Sequence, residues 1–148
     1  MFLDTTQRKA VIAAASPAAG RFFRGLELTG ARPKELSATV VADFDGQRLR
    51  LAHRKGRPAK LRPRHVVLSA EAIAFFEEQA KDKLPGAPLF TEDGETPWRR
   101  HVWCRQMQAA IARHNEVARG DRRISGHATA YSFRHARISE LLPTESIP

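Results

Sequence analysis

The chain has 148 residues, enough for one ordinary domain, and its 42% hydrophobic and 28% charged content is that of a globular protein rather than a disordered tail. Lys and Arg number 25 against 16 Asp and Glu, a formal charge of +9, so the first partner to consider is a polyanion: nucleic acid, then an anionic membrane surface. The single cysteine, Cys104, excludes an internal disulfide framework; no apolar run approaches a membrane span, and a secretory layout is missing at the N-terminus, so a cytoplasmic setting is expected.

In chain order, Asp4 or Thr5 caps a first helix over about Thr6 to Ala15. Ser16-Pro17 opens a second, running to about Thr29, with Phe22, Phe23, Leu26 and Leu28 as its apolar face and Gly30 as C-cap. Pro33 starts a short helix to about Ala38, with Glu35 in its first turn. The period then changes. Val40-Val41 to Phe44, Arg48 to Arg54, and Leu61 to Leu68 are expected as three antiparallel strands, with Asp45-Gly46 and Gly56-Arg57-Pro58 as turns. Within Arg48-Leu49-Arg50-Leu51 the arginines take one face and the leucines the other, and Val66-Val67-Leu68 is expected to be buried. Ser69 caps a helix from Ala70 to about Lys83, and Pro85-Gly86-Ala87-Pro88 breaks the chain. A long helix from Trp98 or His101 to Arg119 follows, then a polar loop from Gly120 to Ala128 and a last helix over about Ser132 to Leu142. The expected fold class is α+β, mainly helical, with a small three-stranded antiparallel sheet.

The charge is not evenly spread. Arg48, Arg50, Arg54, Lys55, Arg57, Lys60, Arg62 and Arg64 fall between Gln47 and Ala70 with no acidic residue among them, and the rest of the chain carries 17 basic against 16 acidic residues. A strand-turn-strand this basic is suited to phosphate backbone contacts, although exposed lysines also serve simply to protect sheet edges.

Two arginine-bearing segments flank this hairpin. Thr29-Gly30-Ala31-Arg32-Pro33-Lys34-Glu35-Leu36 puts Arg32 at a helix-helix junction, where a guanidinium suits bidentate phosphate recognition and Glu35 can orient it. Tyr131-Ser132-Phe133-Arg134-His135 opens the last helix, with Tyr131 and Arg134 on one helical face. Taken singly, each segment is equally compatible with ordinary packing and surface charge.

In this order the three elements resemble the catalytic domain of tyrosine recombinases, the phage integrase family. That family carries a T-G-x-R-x-x-E-L box, a hairpin lysine and an H/Y-x-x-R-H box, matched here by Thr29 to Leu36, by Lys55 before Gly56, and by Tyr131 to His135. The resemblance spans essentially the whole chain. It implies that Arg32 and Arg134 grip the non-bridging oxygens of one DNA phosphate, that Lys55 protonates the departing 5′ oxygen, and that Tyr131 assists in place of the usual histidine. Glu35 and His135 would support them, and Arg48, Arg50, Arg54, Arg57, Lys60, Arg62 and Arg64 would contact DNA; Lys60 rivals Lys55 for the acid role.

By the same resemblance the chain is a partial catalytic domain, without the N-terminal DNA-clamping domain and without the C-terminal segment that carries the nucleophile. Tyr131 is the only tyrosine, so weak binding to double-stranded DNA without cleavage is expected of the chain alone. Neither cofactor nor metal nor small-molecule substrate is implied, and in the complete protein a homo-oligomer assembles on DNA. A non-enzymatic nucleic-acid-binding module explains the hairpin as well, but not the flanking arginine boxes. A metal-dependent nuclease finds no paired ligand spacing among the six histidines, and a membrane-surface role would call for an amphipathic helix.

Overall fold

Helix α1 (Thr5–Ala14) starts at a reciprocal cap: Asp4 Oδ1 accepts the Gln7 amide at 2.8 Å, and Gln7 Oε1 accepts the Asp4 amide at 3.0 Å. The computed structural model describes residues 3–55 and 60–134, with the side chains of residues 53–62 outside that description. Arg8 leaves α1 only 4% exposed, donating to Leu3 O at 2.8 Å and to Glu27 at 3.1 Å, and so ties α1 to the next helix.

Helix α2 (Pro17–Thr29) is the central element. Ser16 caps it, Pro17 supplies the preset φ of its first position, and Gly30 ends it in the left-handed region at φ 67°. Phe22, Phe23 and Leu26 are wholly buried. Phe22 packs at ring-centroid distances of 5.6 Å from both Trp98 and Trp103 and 6.0 Å from Phe90.

Gly25 lies where a side chain has no room: a Cβ there would stand 2.8 Å from Phe90 Cζ and 2.9 Å from Leu36 Cδ2. Gly25→Ala is therefore expected to lower stability by about 1–2 kcal/mol despite alanine's better helix propensity, as read by urea denaturation. An unchanged midpoint would show that the Phe90 ring yields freely.

Helix α3 (Pro33–Ser37) follows at once, and then the expected first strand fails to form. Val41–Asp43 is a 3-10 turn, closed by Asp43 Oδ2 accepting the Val40 amide at 2.9 Å, and only single bridges remain on either side, Val40 to Pro88 and Phe44 to Leu49. The local carboxylate-to-amide bond competes with the ladder, so the sheet among the described residues has two strands and not three. The Asp45-Gly46 turn is as expected: Gly46 sits at φ 95°, and Asp45 Oδ1 accepts the Gln47 and Arg48 amides at 2.9 and 2.6 Å.

Strands β1 (Arg48–Lys55) and β2 (Lys60–Val67) pair antiparallel, with Leu49 opposite Val66, Leu51 opposite Arg64, and Lys55 opposite Lys60. Leu49 and Leu51 are buried, and Arg48 faces outward, as alternation predicts. Val67, expected inside with its neighbours, is 80% exposed, because it is the cross-strand partner of outward-facing Arg48. The expected turn at Gly56-Arg57-Pro58 lies outside the described residues.

Helix α4 (Ala70–Ala80) stops short of the expected Lys83, the chain leaving through Asp82 at φ 60°. Helix α5 (Arg100–Val117) crosses behind α1 and α2. Asn115 exchanges two 2.8 Å hydrogen bonds with Ile124, and Gln108 donates to Gly126 O at 3.1 Å, which folds the polar loop back along α5. The chain then re-enters the core at Phe133, stacked on Phe23 at 5.6 Å, with residues 131–134 helical; the remainder of the expected last helix lies outside the described residues. No helix among the described residues is long and apolar enough to cross a membrane.

Candidate functional site

The junction between α2 and α3 is built by its own sequence. Thr29 Oγ1 donates to Gly25 O at 2.7 Å and accepts the Ala31 amide at 3.1 Å, Gly30 turns left-handed, and Pro33 begins the next helix. Arg32 is thereby held at the helix entry, where its amide donates to Glu35 Oε1 at 3.0 Å.

Glu35 is the centre of the site. It is 5% exposed, and its carboxylate is surrounded by three guanidiniums. Arg64 makes the close contacts, Nη2 donating to Oε1 at 2.9 Å and Nε to Oε2 at 3.4 Å. Arg32 Nη1 and Arg134 Nη1 stand 3.8 and 3.9 Å from the same Oε1. Arg134 is fixed separately, its Nη1 donating to Gly30 O at 3.0 Å. Arg32 and Arg134 are 102 positions apart in the chain, yet one carboxylate gathers both, together with Arg64 from the hairpin.

The electrostatics follow from that count of charges. Burial pushes the Glu35 carboxyl up, but the Arg64 hydrogen bond, the Arg32 amide and the charges of both arginines outweigh it and hold the group below its ordinary 4.5. Arg134 is pushed down from its ordinary value first by burial, then by the charges of Arg32 and Arg64, with Glu35 opposing. Among the described residues three guanidiniums gather around this carboxylate, a cationic setting that favours an anion nearby.

Because the folded pKa of Glu35 lies below the unfolded one, its contribution to stability is present above pH 4.5 and is lost as pH falls through the folded value. Denaturation midpoints measured from pH 7 to pH 3 are expected to fall less steeply below pH 4.5 in Glu35→Gln than in the parent chain. Parallel curves would remove Glu35 as the titrating group.

Tyr131 is 42% exposed at the start of the last helical turn, within electrostatic reach of Arg134. It borders a cleft of about 630 Å³ shared with Lys34, Ser37, Trp98, Arg100 and Trp103. Lys55 stands at the turn end of β1, level with Lys60, so their positions along the hairpin are equivalent. The side chains of Lys55, Arg54, Arg57, Lys60 and Arg62, and all of His135, lie outside the described residues.

Two readings from sequence change. The basic segment contains no acid of its own, but the fold brings acids to it: Arg48 pairs with Asp45 at 3.3 Å, Arg50 with Asp43 at 3.4 Å, and Arg64 with Glu35. Arg64, expected only as one DNA contact among several, is the closest side-chain partner of the buried carboxylate among the described contacts. The usable signal was register: opposite an inward leucine, position 64 must face the helices. Among the described residues no group of three or more His, Cys, Asp or Glu side chains converges as metal ligands.

No protein-family model matches the chain, and no curated protein matches it. Solved structures do. The chain is similar to the Tn1549 transposon integrase in complex with circular intermediate DNA, with a TM-score of 0.76 at 15% identity, over 100% of this chain and 54% of that one. It is similar to the XerA recombinase with a TM-score of 0.69 at 16% identity, over 99% of this chain and 51% of that one. The fold is thus that of tyrosine-recombinase catalytic domains, as the sequence resemblance implied, and the chain spans about half the length of these relatives.

Proposed function

We propose that this domain binds duplex DNA along its basic hairpin and holds one backbone phosphate between Arg32 and Arg134, as part of a DNA breaking-and-rejoining site of the tyrosine-recombinase kind. The observation that carries this reading is the cluster around Glu35, in which Arg32, Arg64 and Arg134, distant in the chain, converge on one carboxylate. Guanidiniums placed in this way stabilise a phosphorane-like transition state more than they stabilise the ground-state phosphate, because the negative charge on the non-bridging oxygens grows during attack. In the same reading Lys55 delivers a proton to the leaving oxygen from the hairpin, and Tyr131 hydrogen-bonds the phosphate in an assisting position. His135 supports Arg134, and the remaining hairpin cations follow the flanking backbone. The domain is then one portion of a larger recombinase that assembles on its DNA.

The salt dependence of duplex binding tests the hairpin. If about five phosphates are neutralised by the hairpin, the slope of log K against log salt is expected to be about −4.5. A flat dependence would sink the reading.

The arginine pair is tested separately. Arg134→Ala is expected to weaken binding to duplex DNA by about tenfold, the worth of one charge-assisted phosphate contact. A suicide substrate should yield no covalent adduct at Tyr131. In a chain extended to contain a nucleophilic tyrosine, Arg32→Ala and Arg134→Ala should abolish strand cleavage while much of the DNA binding remains. A purely non-enzymatic binder would change in affinity alone.

A further inference from the structure

Both tryptophans of the chain border one cleft, the hollow of about 630 Å³ between α3, the start of α5 and Tyr131. Trp98 and Trp103 are each 4% exposed and form its floor, while the Tyr131 ring stands exposed at its rim. Trp98 Nε1 is buried and makes no hydrogen bond, the single such side-chain atom among the described residues. A donor left in this state costs free energy that an incoming acceptor returns.

The charges around the cleft have one sign. Lys34 and Arg100 line it, and no acidic side chain among the described residues does. Arg100 is also the first residue of α5, whose N-terminus has neither a side-chain cap nor an acid in its first turn, so the helix end adds to the positive potential. Trp98 borders a smaller hollow of about 270 Å³ as well, but Glu92 and Asp93 stand there and repel an anion. We propose that the larger cleft is a nucleotide site: a nucleobase lies in it against the Tyr131 ring, an acceptor atom of the base takes the Trp98 N–H as the indole tilts towards it, and the phosphate rests on Lys34 and Arg100 at the mouth.

The ligand chemistry follows from the lining. Flat aromatic walls favour a planar heterocycle. Donors without carboxylates favour a ligand rich in carbonyl oxygens and ring nitrogens, and two cations beside an uncapped helix end favour a phosphate. A peptide is a poorer match, because it brings an N–H with nearly every carbonyl and the described side chains offer no carboxylate to receive them. The site shares no charged residue with the Glu35 cluster and does not rest on the phosphate-gripping reading.

The two indole N–H resonances of the 148-residue chain test this directly, since every tryptophan borders the cleft. Thymidine 5′-monophosphate is expected to move the Trp98 N–H resonance downfield and saturably. Trp98→Phe, which keeps an aromatic ring, identifies that signal and should weaken binding about fivefold. Thymidine itself, without the phosphate, should bind about tenfold more weakly than the nucleotide, and Arg100→Gln should cost the nucleotide about as much. If Trp98→Phe does not fold, Lys34→Gln and Arg100→Gln, both at exposed positions, decide by the same loss. A short single strand of thymidine nucleotides that binds more tightly than the mononucleotide supports the site with unpaired DNA as its source, and one that binds no more tightly supports it with the free nucleotide. A Trp98 resonance unmoved by either, a nucleoside that binds as tightly as the nucleotide, or variants of Lys34 and Arg100 without effect overturns the proposal. So does duplex DNA or a glutamate-rich peptide that moves the signal as strongly as the single strand, because neither offers a free base.

Discussion

Phe22→Ala is expected to lower the stability of the domain by about 3–5 kcal/mol, the largest effect of any single core truncation in this chain. Phe22 is wholly buried, and its ring lies within 6.2 Å, centroid to centroid, of Phe23, Phe90, Trp98 and Trp103. These rings come from α2, from the segment after α4 and from the approach and first turns of α5. The single side chain therefore joins three parts of the fold. Truncation leaves a cavity walled by rigid aromatic rings that cannot collapse into it, which places the cost at the upper end for such sites. For a domain of this size the melting temperature should fall by about 10–15 °C. Phe22→Leu, which retains most of the volume, should lose about a third as much. A loss below about 1 kcal/mol for alanine would mean that the aromatic cluster repacks, and the central place given to α2 would be wrong.

The second large effect is at the site. Glu35→Gln keeps shape and hydrogen-bonding capacity but removes the carboxylate charge that Arg32, Arg64 and Arg134 share. Arg64 and Arg32 are 43% and 39% exposed, so solvent screens part of the repulsion, and the expected loss is about 2 kcal/mol rather than the larger figure for a fully buried ion pair. The loss should shrink on addition of an anion that fills the gap, inorganic phosphate or duplex DNA, since ligand binding to the folded state offsets it. A midpoint in urea that is equally low with and without phosphate would show that the cluster does not accept an external anion.

Much of this was legible before any coordinates. Ser16-Pro17 and Gly30 bound α2, and Ser69 starts α4, because caps and glycine C-caps act within a few residues. The arginine boxes were legible for the same reason: the Thr29-Gly30 turn and the Pro33 start of α3 are local devices that place Arg32 at a helix entry whatever the rest of the chain does. Where the sequence misled, the deciding interaction was a competing one. The first strand gave way to a 3-10 turn because the Asp43 carboxylate takes the Val40 amide, and Val67 turned outward because its ladder partner is Arg48. Burial of Arg8, a charged residue in an unremarkable helix, carried no signal at all, since its partners Leu3 O and Glu27 satisfy it only once α1 lies against α2.

The excess of basic residues illustrates the division. Composition alone determined that a net charge of +9 exists and that eight cations fall in one acid-free stretch, because charge and local order are written residue by residue. Tertiary structure decided how those cations are used: Arg48 and Arg50 meet acids from the preceding turn, and Arg64 leaves the surface patch to hold a carboxylate from another helix. Ion pairs form between residues that are near in space, and nearness across α3, the hairpin and the last helix is fixed only when strand register and aromatic packing are settled together.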